Sequence, residues 1–370
     1  MTSLDFSHED LERATWYHRA RYVAFGAGGG LAAAVYAALA WAPVGRGLWD
    51  LVDGLGWAGS AAAWAAGVVV VADLVQLPLA YWLGLTRERA WGFSRQTTSG
   101  WLADRAKGLA VSILFTAAAW TAAVGLARAF PGWWPVAAGL ALAPGVLVVS
   151  FVAPVVLEPL FNRFRPLEDE QLAAELRALG ELAGVPVRHV LVADASRRTT
   201  KVNAYVSGFA GTRRVVLFDT LLAAAGAPEV KLIVAHELGH RRDRHVLKAT
   251  LLAMLGAVVA VLILWLVLGT RVASPRELPQ ALLLFTVLEL VGLAPAAAIS
   301  RRWERRADRC SLELTGDLEA FERVQVELAR KNLSDLAPPR LVYLLLFSHP
   351  TPPERLELGR EWGRAWEASS

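Results

Sequence analysis

The sequence predicts a mainly α-helical, polytopic membrane protein that carries a small mixed α+β domain on one side of the bilayer. Three observations support this. The 370-residue chain is 55% hydrophobic with a mean hydropathy of +0.38, too apolar for a protein that must keep most of its surface in water. Its apolar residues gather into six runs, each close to the roughly 20 residues needed to cross a hydrocarbon core. The Lys and Arg residues collect at alternate ends of those runs, as they do in membrane proteins of fixed orientation.

The N-terminus, "MTSLDFSHEDLERATWYHRARY", stays polar for about twenty residues, unlike a cleavable signal peptide, so the first apolar run is expected to be retained as a membrane helix. The expected spans are Tyr22–Ala42, Trp57–Leu83, Gly108–Arg128, Trp134–Leu157, Val246–Leu268 and Leu278–Ile299. Arg13, Arg19, Arg21, Arg87, Arg89, Arg95, Arg105 and Lys107 fall on one side if these alternate, together with Arg163, Arg165, Arg241, Arg242, Arg244, Arg301, Arg302, Arg305 and Arg306. The opposite loops hold little beyond Arg46, Arg128, Arg271 and Arg276, which places both termini and the polar segment in the cytoplasm, on a plasma or cytoplasmic membrane, or on the endoplasmic reticulum in a eukaryote. Four parts follow: a membrane region over 1–157, a polar segment over 158–245, a membrane hairpin over 246–299 and a C-terminal segment over 300–370.

Within the polar segment, "DEQLAAELRALGELAGV" has helical spacing and a stop at Gly184. "RHVLVAD", "KVNAYVSGF" and "RRVVLFD" read as short strands, the last two joined by a turn at "AGT". "PEVKLIVAHELGHRRDRH" then becomes helical. Net charge is +4 with a pI near 9.4, but no basic block is interleaved with aromatics, so a nucleic-acid partner is not expected. The single cysteine, Cys310, excludes an intramolecular disulfide and a cysteine-based metal site.

The chemistry is concentrated in "HELGH". On a helix His236 and His240 project from one face a turn apart, which lets two imidazoles reach one tetrahedral zinc. Glu237 lies about 100° round the helix, within reach of a water at that metal, so it is the candidate proton acceptor for peptide hydrolysis. The three positions alone also admit a chance match on a solvated helix. A third ligand is needed, and "SRRWERRAD" offers Glu304 and Asp308 on one helical face, one to bind metal and one to orient an imidazole. Spacing alone equally allows an acidic stripe paired with Arg301, Arg305 and Arg306. Asp73, Gln76, Glu158 and Glu289 sit in or beside apolar runs, which calls for a watery or paired setting. His245 reads as a structural cap at the mouth of a span, and His8, His18 and His189 as surface residues.

Taken in order, "RERAWGFSRQT", "PLFNRFRPL", "VNAYVSGF", "RRVVLFDTLL", "HELGH", "SRRWERRAD" and "SHPTPPERL" resemble the integral-membrane zinc proteases of the type I CAAX prenyl protease family along nearly the whole chain. The resemblance implies a gluzincin-like cytoplasmic domain binding one Zn2+ per chain through His236, His240 and Glu304, with Glu237 as catalytic base and Asp308 behind a ligand. It also implies that Asn203, Ala204 and Tyr205 pair with an extended substrate, that His349 donates to the tetrahedral intermediate or the substrate backbone, where the residue alone also reads as a loop histidine before Pro350, and that Arg355 binds a substrate carboxylate or supports the site. A large water-filled chamber enclosed by the helices is a further implication. Eukaryotic members have seven spans against six expected here, and a long insertion after "FDTLL" that this chain lacks.

The expected function is therefore zinc-dependent cleavage of membrane-tethered or C-terminally lipidated proteins, prenylated ones included, at the lipid bilayer. A heat-shock-type protease that clears damaged membrane proteins is the alternative within the same chemistry, and a non-catalytic scaffold or transporter is the alternative outside it. The joint presence of His236, Glu237, His240 and Glu304 argues against the last.

Overall fold

The structure is a computed structural model that describes residues 5–152, 156, 158–208 and 213–369. Among them, five helices are long and apolar enough to cross a membrane. The first is α1 (His8–Trp41), started by a capping box in which the Ser7 hydroxyl accepts from Asp10 N–H and Asp10 answers to Ser7 N–H. Then come α2 (Gly56–Tyr81) and α3 (Thr98–Ala129), whose facing residues Ala61, Ala65, Val68, Val124 and Ala127 are buried. Small side chains at this seam allow close backbone approach, the main source of helix association in lipid.

The expected span Trp134–Leu157 corresponds to α4 (Trp134–Val152), an apolar helix of 19 residues; the end of that span, at 153–155 and 157, lies outside the described residues. The sequence count of six spans is thus five long helices plus this shorter one. Outward on these helices Leu140, Leu255, Leu266 and Val291 are exposed, a surface costly in water and natural in lipid. Asp73 is paired to Arg105 at 2.5 Å between α2 and α3. That contact is the paired setting expected of it.

The polar segment folds as β1 (Phe164–Pro166), α5 (Glu170–Leu182), β2 (His189–Ala193), β3 (Ala204–Ser207), β4 (Arg214–Phe218) and α6 (Ala227–Arg242). Asp169 caps α5 by accepting from Leu172 N–H, and the chain leaves it through Gly184 at φ +68°, a value that favours glycine. The sheet order is β1-β2-β4-β3, with β2 and β4 parallel and the two outer pairs antiparallel. The antiparallel β3–β4 pair agrees with the predicted hairpin, although its turn at "AGT" falls outside the described residues. β1 was not anticipated, because three residues ending in proline carry no alternation to read. Val190, Val192, Val215, Leu217, Leu176, Val234 and Leu238 close the core between the sheet, α5 and α6.

After α6 the chain makes a left-handed step at Arg244 (φ 56°) and re-enters the membrane as α7 (His245–Leu268). It returns in α8 (Leu278–Thr315), one helix of 38 residues, about 57 Å at 1.5 Å per residue. Helices α9 (Leu318–Asn332), α10 (Arg340–Leu346) and α11 (Pro352–Ser369) complete the domain. Because α8 runs unbroken from the membrane into that domain, the hairpin and the polar segment share one rigid element.

Candidate active site

Helix α6 places His236 and His240 one turn apart, and α8 brings Glu304 against them. The approach of these two helices depends on Gly239. A Cβ at that position would lie 2.9 Å from Cys310 Cβ and 3.1 Å from Ala307 Cα, too close for α8 to stay where it is. A Gly239→Ala variant is expected to push the helices apart, costing about 1–3 kcal/mol and lowering metal content, as melting and metal analysis would show.

The donors converge. His236 Nε2 and His240 Nε2 are 3.2 Å apart, and they lie 3.2 and 3.3 Å from the two oxygens of Glu304. One ligand atom from each of the three residues falls within 4.8 Å of the others. Glu304 is 5% exposed and turns its two oxygens toward the two imidazoles, an arrangement that suits a cation. Two imidazoles and one carboxylate fit a divalent metal, so the site can hold one.

Behind His236, Asp308 is fully buried, with Oδ1 2.9 Å from His236 Nδ1. Arg355 Nε donates to Asp308 Oδ2 at 2.9 Å, and its Nη2 donates to Oδ1. Its guanidinium is therefore engaged with Asp308. Burial opposes charge on His236, but hydrogen bonds to Asp308 and Glu304 prevail and raise its pKa to about 10 in the metal-free site. A metal must displace that proton. Metal affinity is therefore expected to rise about tenfold per pH unit between pH 6 and 8, below this raised pKa, as chelator competition would measure.

Glu237 lines a cavity of about 620 Å³ together with Asn203, Ala204, His236, His349 and Arg355. Burial raises the pKa of its carboxyl, against the pull of His236 and His240, which makes the carboxylate a stronger proton acceptor. His349 Nε2 is 3.2 Å from Glu304 Oε1, and its Nδ1 is 2.8 Å from Ser348 Oγ. Arg301, one turn before Glu304, donates to the carbonyls of Tyr343 and Phe347 at 3.0 and 2.6 Å and so fixes the segment leading to His349. Neither it nor its neighbours form the acidic-stripe pairing that spacing allowed, since Glu304 faces histidines and Asp308 faces Arg355. His18, read from sequence as a surface residue, lines the cavity and contacts the Leu333 carbonyl at 2.7 Å.

β3 is an outer strand of the sheet. Asn203 C=O accepts from Phe218 N–H at 3.1 Å, so by alternation the backbone groups of Val202, Ala204 and Val206 point away from β4. Both ends of this edge are occupied. Val202 exchanges two hydrogen bonds of 3.2 Å with the Asn332 amide, and Arg241 donates to Val206 C=O through Nε at 3.1 Å and through Nη2. Between them the Ala204 C=O and Val206 N–H face outward, while Asn203 Oδ1 accepts from Ala204 N–H at 2.9 Å. Tyr205 does not line the cavity. Its hydroxyl donates to Glu158 Oε2 at 3.0 Å, and Arg214 pairs with the same oxygen.

The entry to β3 is anchored by residues whose role was not legible in sequence. Tyr17 OH donates to Glu88 Oε1 at 2.7 Å, and Lys201 Nζ reaches Glu88 Oε2 at 2.9 Å and Tyr17 OH at 2.8 Å. Thr200 N–H donates to Phe93 C=O at 3.0 Å. "RERAWGFSRQT" thereby buttresses the strand from the membrane side.

A helix that runs out of the apolar bundle to bring a carboxylate against two histidines at the rim of a cavity, beside a short open strand edge, defines a membrane metallopeptidase. The chain belongs to peptidase family M48, whose model matches residues 166–362; a second model, described as CAAX prenyl protease N-terminal, five membrane helices, matches residues 3–163. The described part of that stretch supplies four apolar helices, α1 to α4, and the short helix Pro43–Trp49. Among relatives, the uncharacterized metalloprotease YhfN of Bacillus subtilis is 34% identical over 301 residues, 78% of this chain and 70% of that one. CAAX prenyl protease 1 of Saccharomyces cerevisiae is 28% identical over 314 residues, 77% and 69% of the two chains. The crystal structure of S. mikatae Ste24p superposes with a TM-score of 0.81 at 24% identity, over 96% of this chain and 89% of that one, and so shares the fold. This chain is an integral membrane metalloprotease acting on peptide or protein substrates.

Proposed function

We propose that the protein is a zinc endopeptidase that cleaves membrane-tethered or C-terminally lipidated substrates in the manner of CAAX processing, with its termini and active site facing the cytoplasm. The observation that carries this reading is the convergence of His236, His240 and Glu304 at the rim of the Glu237 cavity, next to the outward-facing groups of β3. The names of relatives such as the yeast CAAX prenyl protease 1 support the substrate class, and the Lys and Arg asymmetry supports the orientation.

Zinc bound by the three ligands would supply Lewis acidity to the scissile carbonyl and to water. The rest falls to the chain's own residues. An extended substrate pairs with Ala204 C=O and Val206 N–H, with Asn203 at the cavity wall and Tyr205 holding the strand through Glu158. Glu237 takes a proton from the attacking water as its oxygen bonds to the carbonyl carbon. When the C–N bond breaks, Glu237 returns that proton to the leaving nitrogen. His349 donates to the oxyanion, and Asp308 with Arg355 holds His236 in register.

The test is a quenched peptide offered with and without a C-terminal farnesyl group to detergent-purified protein. Cleavage at least tenfold better with the lipid is the expected result. Equal cleavage of both forms would refute the lipidated-substrate class and point to general, heat-shock-type membrane proteolysis.

A further inference from the structure

We propose that His245 is a positioning residue for the metal centre, accepting the Nδ1–H of His240 and thereby presenting His240 Nε2 to the metal. This rests on the reading of His236, His240 and Glu304 as ligands. His240 Nε2 is the nitrogen that faces the cluster, 3.3 Å from Glu304 Oε1. A coordinating imidazole nitrogen carries no proton, so the ring's proton must sit on Nδ1. That atom lies 2.9 Å from His245 Nδ1. Two nitrogens at this distance share one proton, and with His240 as donor His245 must accept.

The acceptor is built in. His245 is 3% exposed, and its ring stacks on Trp303 at 5.0 Å with an interplanar angle of 11°. Trp303 directly precedes Glu304, so the stack joins the start of α7 to the helix that delivers the carboxylate ligand. The left-handed step at Arg244 turns the chain so that a residue only five positions beyond His240 can reach back to it. With its proton on Nε2, His245 faces Asp243 Oδ2 at 3.8 Å, beyond hydrogen-bond reach, and the Nε2 has no hydrogen-bond partner among the described residues. The two ligand histidines are thus held alike from behind, His236 by a carboxylate and His240 by a neutral imidazole. Partners of this kind fix the orientation and tautomer of a ligand. A cap at the membrane surface would need neither the ring nitrogen nor the alignment.

Two substitutions separate positioning from packing. His245→Phe keeps the ring on Trp303 and loses the acceptor, whereas His245→Asn gives up the ring and keeps an acceptor close to the Nδ1 position. The readout is the zinc dissociation constant of the full-length protein in detergent, by chelator competition, with metal-free melting as the control for folding. Zinc binding should weaken on the order of 10- to 100-fold in His245→Phe and stay within about threefold of wild type in His245→Asn. Zinc binding retained in the Phe variant, or lost equally in both, would overturn the proposal and leave the ligand assignment intact. Wild-type protein that binds no zinc would overturn the ligand assignment, and the positioning role with it.

Discussion

Replacing Glu237 by Gln is expected to lower turnover by about 10²- to 10⁴-fold while leaving the metal in place. The amide has nearly the volume of the carboxylate, so the cavity and the neighbouring His236 and His240 are undisturbed, but it cannot take a proton from water or return one to an amine. Glu237 is not among the converging metal donors, so metal content should match wild type. The pair of measurements is steady-state cleavage and metal analysis on the same preparation. Loss of activity together with loss of metal would mean that Glu237 serves the fold or the metal rather than the reaction.

The second large effect is expected for Asp308→Ala. Asp308 is fully buried, and it answers both the Arg355 guanidinium and the His236 ring. Removing it leaves a charge without its partner in the interior, which typically costs about 3–5 kcal/mol. His236 loses its orientation in the same step, and metal affinity should fall on the order of 10- to 100-fold. A double variant, Asp308→Ala with Arg355→Met, should recover much of the stability and none of the metal affinity. That split separates the ion pair from the ligand support. Recovery of both would mean that Asp308 acts on the metal only through Arg355.

The parts of the fold that follow from local periodicity were legible in the sequence: the long apolar helices, the amphipathic α5, the strands β2 to β4 and the helix bearing "HELGH". Spacing also gave His236, His240 and Glu237 a common setting, because a helix converts sequence offset directly into direction. Contacts between residues far apart in the chain were not legible. Asn332 closing the edge at Val202, Lys201 reaching Glu88, and Arg301 turning to the carbonyls of Tyr343 and Phe347 leave no pattern in either partner's neighbourhood. His18 was misplaced for the same reason: its burial comes from Leu333 and the cavity, not from α1 itself. Tyr205 shows the limit of motif reading, since its hydroxyl is engaged with Glu158 while Asn203 and Ala204 line the cavity. The break between α6 and α7 depends on the positive φ of Arg244, a conformation that an arginine does not advertise.

The central claim, that His236, His240 and Glu304 together hold one zinc, is tested most directly by metal stoichiometry. Wild type and Glu304→Ala would be purified in parallel from detergent without added chelator, and metal per chain measured by elemental mass spectrometry. The account predicts close to one zinc per wild-type chain and a near-complete loss in the variant, with both proteins folded by circular dichroism. Equal zinc in the two proteins, or none in the wild type, would contradict it.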